Sequence, residues 1–162
     1  TKGYHDALAQ AGISPASELL IAADLNIPGH DAEEQLLWDA LDRLLSLPEL
    51  PTAICFGNDR MAMRAYGILR RRGVSLPDDV SVAGYDNHKM ITQTLYPTLM
   101  SAELPYAAIG IRATEMLLDM INGTSNPQTQ PLLVSGPVTP GNSVRDIPTS
   151  ITTLSSIGRT TK

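Results

Sequence analysis

Apolar residues recur along this chain in two alternating rhythms. Near the start, Tyr4, Ala7, Leu8 and Ala11 fall at three- and four-residue spacing, the period of one helix face, and Gly12 reads as the stop. The short apolar run over 19–23 then reads as a buried strand. A turn follows between Asn26 and Asp31, broken by Pro28 and Gly29. A strong helix is predicted over about 32–46. Leu36, Leu37, Ala40, Leu41, Leu44 and Leu45 form its apolar face, and Glu33 and Glu34 suit the positive end of its dipole. The run 53–56 is a second apolar strand, closed by Gly57-Asn58-Asp59. Residues 59–72 repeat the helical period, with Ala62, Ala65, Tyr66 and Leu69 on one face and Gly73 after it. A turn at Pro77-Asp78-Asp79 leads to a third strand over 80–84, followed by Tyr85-Asp86-Asn87.

The order is helix, strand, helix, strand, helix, strand. Strands that are apolar throughout, separated by helices, predict an α/β fold: an open parallel sheet flanked by helices. The rhythm then changes. A short helix is expected near 89–94, an extended crossing segment over 99–104 and a long helix over 105–121. Gly110, Ala113, Leu117 and Ile121 should line its inner face, and Gly123 marks its end. One or two further strands are expected around 131–134 and Val138. The tail from Arg145 is rich in Ser and Thr, lacks periodicity and is expected to be loose.

Composition narrows the class. With 162 residues, 43% hydrophobic and 18% charged, the chain has the apolar content for a core. No apolar run reaches the roughly 18 residues of a membrane span, and no signal peptide is visible. The first helix starts without a cap, which suggests a piece of a longer protein. Cys55 is the single cysteine, so no internal disulfide can form; inside an apolar strand it reads as a buried small hydrophobe. The net charge of -5 makes the chain a poor grip for phosphate backbones by itself. Arg70-Arg71-Arg72 ends a helix, where cations complement the dipole, and reads as a solvated helix end rather than a nucleic-acid patch.

Ligands of open parallel sheets bind beyond the carboxyl ends of the strands. Two polar clusters stand there: Gly57-Asn58-Asp59 after one strand and Asp86-Asn87-His88 after the next. Asn58 and Asp86 can therefore project into one crevice. A carboxylate accepts from adjacent hydroxyls and an amide both donates and accepts, which suits a ligand bearing several hydroxyls. The competing reading is local: Asn58 or Asp59 caps the next helix, and Asp86 organises its turn. His5, His30 and His88 lack metal-ligand spacing, and there is no nucleophile elbow, Walker loop or dinucleotide glycine fingerprint. No residues assemble an acid, a base and a nucleophile, so neither an enzyme nor a cofactor or metal site is expected.

The ordered set of motifs resembles one family. It comprises the run from Pro51 to Tyr66 with its Phe-Gly-Asn-Asp, then Arg72-Gly73-Val74, Pro77-Asp78-Asp79-Val80-Ser81-Val82 and Gly84-Tyr85-Asp86-Asn87. It continues through Tyr96-Pro97-Thr98-Leu99, the helix with Gly110 and Ala113, and Leu133-Val134-Ser135-Gly136-Pro137-Val138. Over about 1–144 this resembles the effector-binding core of LacI/GalR-type transcription regulators. The resemblance implies a periplasmic-binding-protein-like fold of two α/β lobes, with a sugar or nucleobase held between them. A helix-turn-helix headpiece, absent from this chain, would bind operator DNA as a homodimer in the cytoplasm.

On that resemblance, residues 1–104 are most of the C-terminal lobe, 105–129 return to the N-terminal lobe, 130–144 come back, and 145–162 are a tail. The two-lobe core is incomplete. The family's effector-binding Asn falls on Asn58 and its effector-binding Asp on Asp86. The loop position that often holds a stacking aromatic falls at about Leu25, which supplies only apolar contact. The family's effector-binding Arg would stand one place before Thr1, and Pro140-Gly141-Asn142-Ser143 replaces a stretch where Arg before the Ser is common. Met61 to Arg64 and Asn87 to Tyr96 are implied dimer contacts, with ordinary lobe surface as the competing reading. The alternative function is a periplasmic sugar-binding protein of the same fold serving transport.

Overall fold

The computed structural model describes residues 2–22, 30–124 and 130–146. Helix α1 (Lys2–Gln10) is followed by a single 3-10 turn at Ser17–Leu19. Helix α2 (His30–Leu45) precedes strand β1 (Ala53–Cys55), helix α3 (Asp59–Arg71) and strand β2 (Ser81–Asp86). A one-turn helix α4 (Lys89–Thr92), strand β3 (Met100–Glu103), helix α5 (Tyr106–Ile121) and strand β4 (Val138–Thr139) complete the order.

The four strands form one open sheet in the order β1-β2-β3-β4. β1, β2 and β3 are parallel, with Ile54 opposite Val82 and Asp86 opposite Glu103. β4 runs antiparallel to β3, with Val138 opposite Ala102, so the sheet is mixed at this side. The core lies between the sheet and two helices. Leu37, Leu41 and Leu44 of α2 and Ala62, Ala65, Tyr66, Ile68 and Leu69 of α3 are buried against Ile54, Phe56, Val80, Val82 and Leu99. The period of α3 set this face correctly: all four of its expected core residues are buried.

The arginine run ends α3 in local contacts. Arg71 and Arg72 lie over the Trp38 ring, 5.8 and 5.3 Å from its centroid, and Arg72 pairs with Asp42 at 2.5 Å. Arg70 donates to the Tyr96 carbonyl.

Four expectations need correction. The described part of 19–23 makes no strand. Leu19 and Leu20 are exposed, and only Ile21 packs on the core. An apolar run becomes a strand only when a sheet edge pairs with it; here Ser17–Leu19 turns instead, and among the described residues β1 pairs with β2 alone. Residues 131–134 likewise form no strand, and Leu132 and Leu133 are exposed. Pro131, Pro137 and Pro140 lack amide donors, which leaves Val138–Thr139 as the short stretch that can pair. Cys55 is exposed rather than buried, because in this edge strand only Ile54 turns inward. Its thiol adjoins an apolar cavity of about 360 Å³ lined by Leu19, Ile21 and Phe56, and that partial burial pushes its pKa up. Finally, α5 buries none of its residues: Gly110, Ala113, Leu117 and Ile121 all face solvent, since no described element packs on them.

Candidate functional site

The carboxyl ends of β1, β2 and β3 bring together the polar residues of this sheet. β1 ends at Cys55, and the chain leaves it through Gly57 into α3. Asn58 is extended there (φ -159°) and its Oδ1 accepts the Met61 N–H at 2.9 Å, so it caps α3. The cap occupies Oδ1 and leaves the Nδ2 donors uncommitted by it. Both readings of the Asn-Asp pair are thus resolved by geometry: Asn58 is the cap, and Asp59 is not.

Asp59 is 1% exposed. Its Oδ1 accepts the Ser101 hydroxyl and its Oδ2 accepts the His88 N–H, both at 2.7 Å. A buried carboxylate is tolerated only when its oxygens are paired, and these two bonds do that. Space for it comes from Gly84, where any Cβ would collide with the Asp59 carboxylate. Ser101 Oγ also accepts the Asn87 N–H at 3.0 Å. Sequence reasoning treated Asp59 only as a possible cap and did not see Ser101. The usable signal was weak: a serine among the apolar residues at the start of the crossing segment and a glycine inside a strand.

Strand β2 runs further than expected and carries Asp86 at its last position, in register with Glu103. Asp86 has φ +109° and Asn87 φ +52°. Left-handed backbone is readily adopted by Asn, but a φ near +109° for a residue with a Cβ costs on the order of 1–3 kcal/mol. The turn is held from several sides. Leu104 N–H donates to the Asp86 carbonyl at 3.4 Å. The Asn87 Nδ2 donates to Thr139 Oγ1 at 2.8 Å and Glu103 Oε2 at 3.3 Å.

The Asp86 carboxylate takes no part in these bonds and is partly exposed. Its pKa lies above the usual carboxylate range. Partial burial is the main cause, the Asp59 charge adds to it, and His88 partly offsets both. Asn58 and Asp86 therefore stand at the ends of adjacent paired strands, the placement expected of them. Leu25 lies outside the described residues, as do residues 147–162 of the expected tail and 125–129 of the expected connection. Among the described residues, no three His, Cys, Asp or Glu side chains are grouped to hold a metal, and no helix is long and apolar enough to cross a membrane. The His88 imidazole is exposed; only its backbone enters the network.

This sheet matches known proteins. Residues 1–144 match the periplasmic binding protein-like domain. The chain belongs to that family. Within the periplasmic-binding-protein-like family it is of the LacI/GalR regulator type, as the ordered motifs implied. It is 33% identical over 120 residues to the HTH-type transcriptional repressor PurR of Edwardsiella ictaluri, covering 74% of this chain and 33% of that protein. The transcriptional regulator CelR, solved with cellobiose, superposes with a TM-score of 0.71 at 26% identity, covering 87% of this chain and 40% of CelR. A sugar-binding LacI-family regulator of Escherichia coli, solved with phosphate, gives a TM-score of 0.69 at 28% identity over 88% of this chain and 48% of that one. The chain spans about a third of the length of the curated relatives it matches. Its relatives are transcriptional regulators, not enzymes.

Proposed function

We propose that this chain is the effector-binding part of a cytoplasmic LacI/GalR-type repressor, and that its effector is a sugar or related polyhydroxy molecule. The observation that carries the reading is Asp86. Its carboxylate stands partly exposed at the carboxyl end of a central strand, on a backbone fixed by hydrogen bonds, and is left over for a ligand. Two carboxylate oxygens accept from neighbouring hydroxyls, and the Asn58 Nδ2 adds donors from the next strand. The cellobiose held by CelR favours a sugar over a nucleobase. Leu25, in place of a stacking aromatic, supplies apolar contact only.

In this reading residues 1–104 are most of the C-terminal lobe, 105–129 pass to the N-terminal lobe and 130–144 return. The ligand would bias the angle between lobes, and it can do so only through different affinity for the two states. That angle would set the disposition of DNA headpieces in a homodimer. A charge of -5 suits a core that leaves operator DNA to a separate basic headpiece. The transport reading is not favoured, because the matched relatives are repressors.

The test is calorimetric titration with a panel of mono- and disaccharides, cellobiose included, on the full-length protein that contains this chain and on its Asp86→Ala variant. At least a tenfold loss of affinity is expected, since a hydrogen bond to a charged group contributes about 1.5–3 kcal/mol. Equal affinity in the two proteins removes Asp86 from the site, and a parent that binds none of the panel removes the sugar.

A further inference from the structure

The side chain that fixes the geometry of the candidate site does not reach the ligand's side of it. We propose that Asp59 is a positioning residue: its buried carboxylate, together with Ser101, holds the Asp86–Asn87–His88 turn in the shape that presents the Asp86 side chain. The inference rests on the reading of Asp86 as a ligand-binding residue.

The turn has little intrinsic reason to keep this shape. Asp86 and Asn87 both have positive φ, and consecutive left-handed residues without a glycine persist only where the surroundings over-determine them. The next two amides supply that determination. His88 N–H is tied directly to Asp59 Oδ2, and Asn87 N–H is tied to Ser101 Oγ, whose own proton goes to Asp59 Oδ1. One carboxylate thus fixes two successive peptide groups, one directly and one through a hydroxyl. Hydrogen bonds from amides to a charged acceptor are about twice as strong as neutral ones, and this acceptor is 1% exposed, so water does not compete for it. Asp59 is itself anchored on the first turn of a helix whose Ala62, Ala65 and Leu69 are fully buried. The device also needs Gly84, because a side chain there would displace the carboxylate.

The experiment uses the full-length protein that contains this chain and four variants of it: Asp59→Asn, Ser101→Ala, Gly84→Ala and, as a control, Ser143→Ala. Ser143 is a buried polar clasp on the same two strands, bonded to Val82 and Met100 and to no part of the turn. Amide hydrogen exchange is followed by NMR at Asn87 and His88 without ligand, and thermal melts report global stability. The expected result is at least tenfold faster exchange at His88 in Asp59→Asn and Gly84→Ala, and at Asn87 in Ser101→Ala. After correction for global stability, Ser143→Ala should leave both amides unchanged. The affinity of the tightest sugar in the panel should fall at least tenfold in Asp59→Asn and hold within about twofold in Ser143→Ala.

Two results overturn the proposal. One is equal loss of His88 protection in Asp59→Asn and Ser143→Ala, which makes Asp59 a general stabiliser. The other is accelerated exchange with unchanged sugar affinity, which makes the turn's shape irrelevant to binding. If Asp59→Asn does not fold, Ser101→Ala and Gly84→Ala decide by the same readouts. A parent that binds no sugar in the panel overturns the ligand reading, while the exchange data still decide whether Asp59 holds the turn.

Discussion

Replacing Ser143 by alanine should cost this domain a large part of its stability without removing any apolar contact. Ser143 is fully buried. Its hydroxyl donates to the Val82 carbonyl of β2 at 2.6 Å and accepts the Met100 N–H of β3 at 2.8 Å. Its backbone continues the clasp, accepting from Val82 N–H at 2.8 Å and donating to Thr98 O at 3.0 Å. Alanine keeps the backbone bonds and the volume but leaves the Met100 amide, and one lone pair of the Val82 carbonyl, without a partner. A buried polar group stripped of its partner costs about 1–3 kcal/mol, so the pair sums to roughly 2–6 kcal/mol. A domain of this size is stable by only about 5–15 kcal/mol. At about 2–4 °C per kcal/mol, the melting temperature should fall by roughly 4–24 °C. Circular dichroism melts and urea titrations of the two proteins measure this directly. A shift of about 2 °C or less would refute the reasoning, and with it the view that the segment around Ser143 clamps β2 to β3.

Other expectations follow from single contacts. Asp86, faced by Asp59 of α3, Glu103 in register on β3 and the adjoining His88, holds its proton to higher pH in the folded than in the unfolded chain. Its contribution to stability is therefore fully present below the unfolded value, about 3.9, and is lost as pH rises through the raised folded value. Asp86→Asn should flatten that part of the stability-pH curve, as measured by urea unfolding at stepped pH; an unchanged slope means the carboxyl is not the titrating group. Leu41→Ala, at a side chain 1% exposed in the middle of the core, should destabilise by about 2–5 kcal/mol in the same assay. Arg72→Ala should cost little, about 1 kcal/mol or less, because its pair with Asp42 is half-exposed, yet it should shift the emission of Trp38, the single tryptophan.

The central unit from β1 to β2 was legible because each of its elements is set by short-range pattern. The apolar run at Ala53, Ile54 and Cys55 is closed by Gly57, and the faces of α2 and α3 recur at the helical period. The run at 19–23 carried the same pattern as a strand and failed, because pairing depends on whether an edge is offered to it, which no local window contains. The same limit applied at α5. Its apolar positions predicted an inner face, but a face is inner only if something packs on it, and no described element does.

The two carboxylates of the site show why its division of labour was hidden. Asp59 and Asp86 both follow an apolar strand and both precede a helix, and sequence reasoning gave Asp86 the ligand and Asp59 no more than a cap. The structure separates them through residues far along the chain. Gly84 makes room for Asp59 to reach into the sheet, and Ser101, 42 positions away, gives it a proton donor. A carboxylate buried with both oxygens paired can hold other groups but is out of a ligand's reach. Asp86 stands at the strand end with its oxygens uncommitted and its backbone in a costly conformation, which leaves it able to bind but dependent on being held. The strain at Asp86 and the burial of Asp59 are therefore parts of one arrangement, since the bonds that satisfy the buried carboxylate are the same bonds that fix the turn.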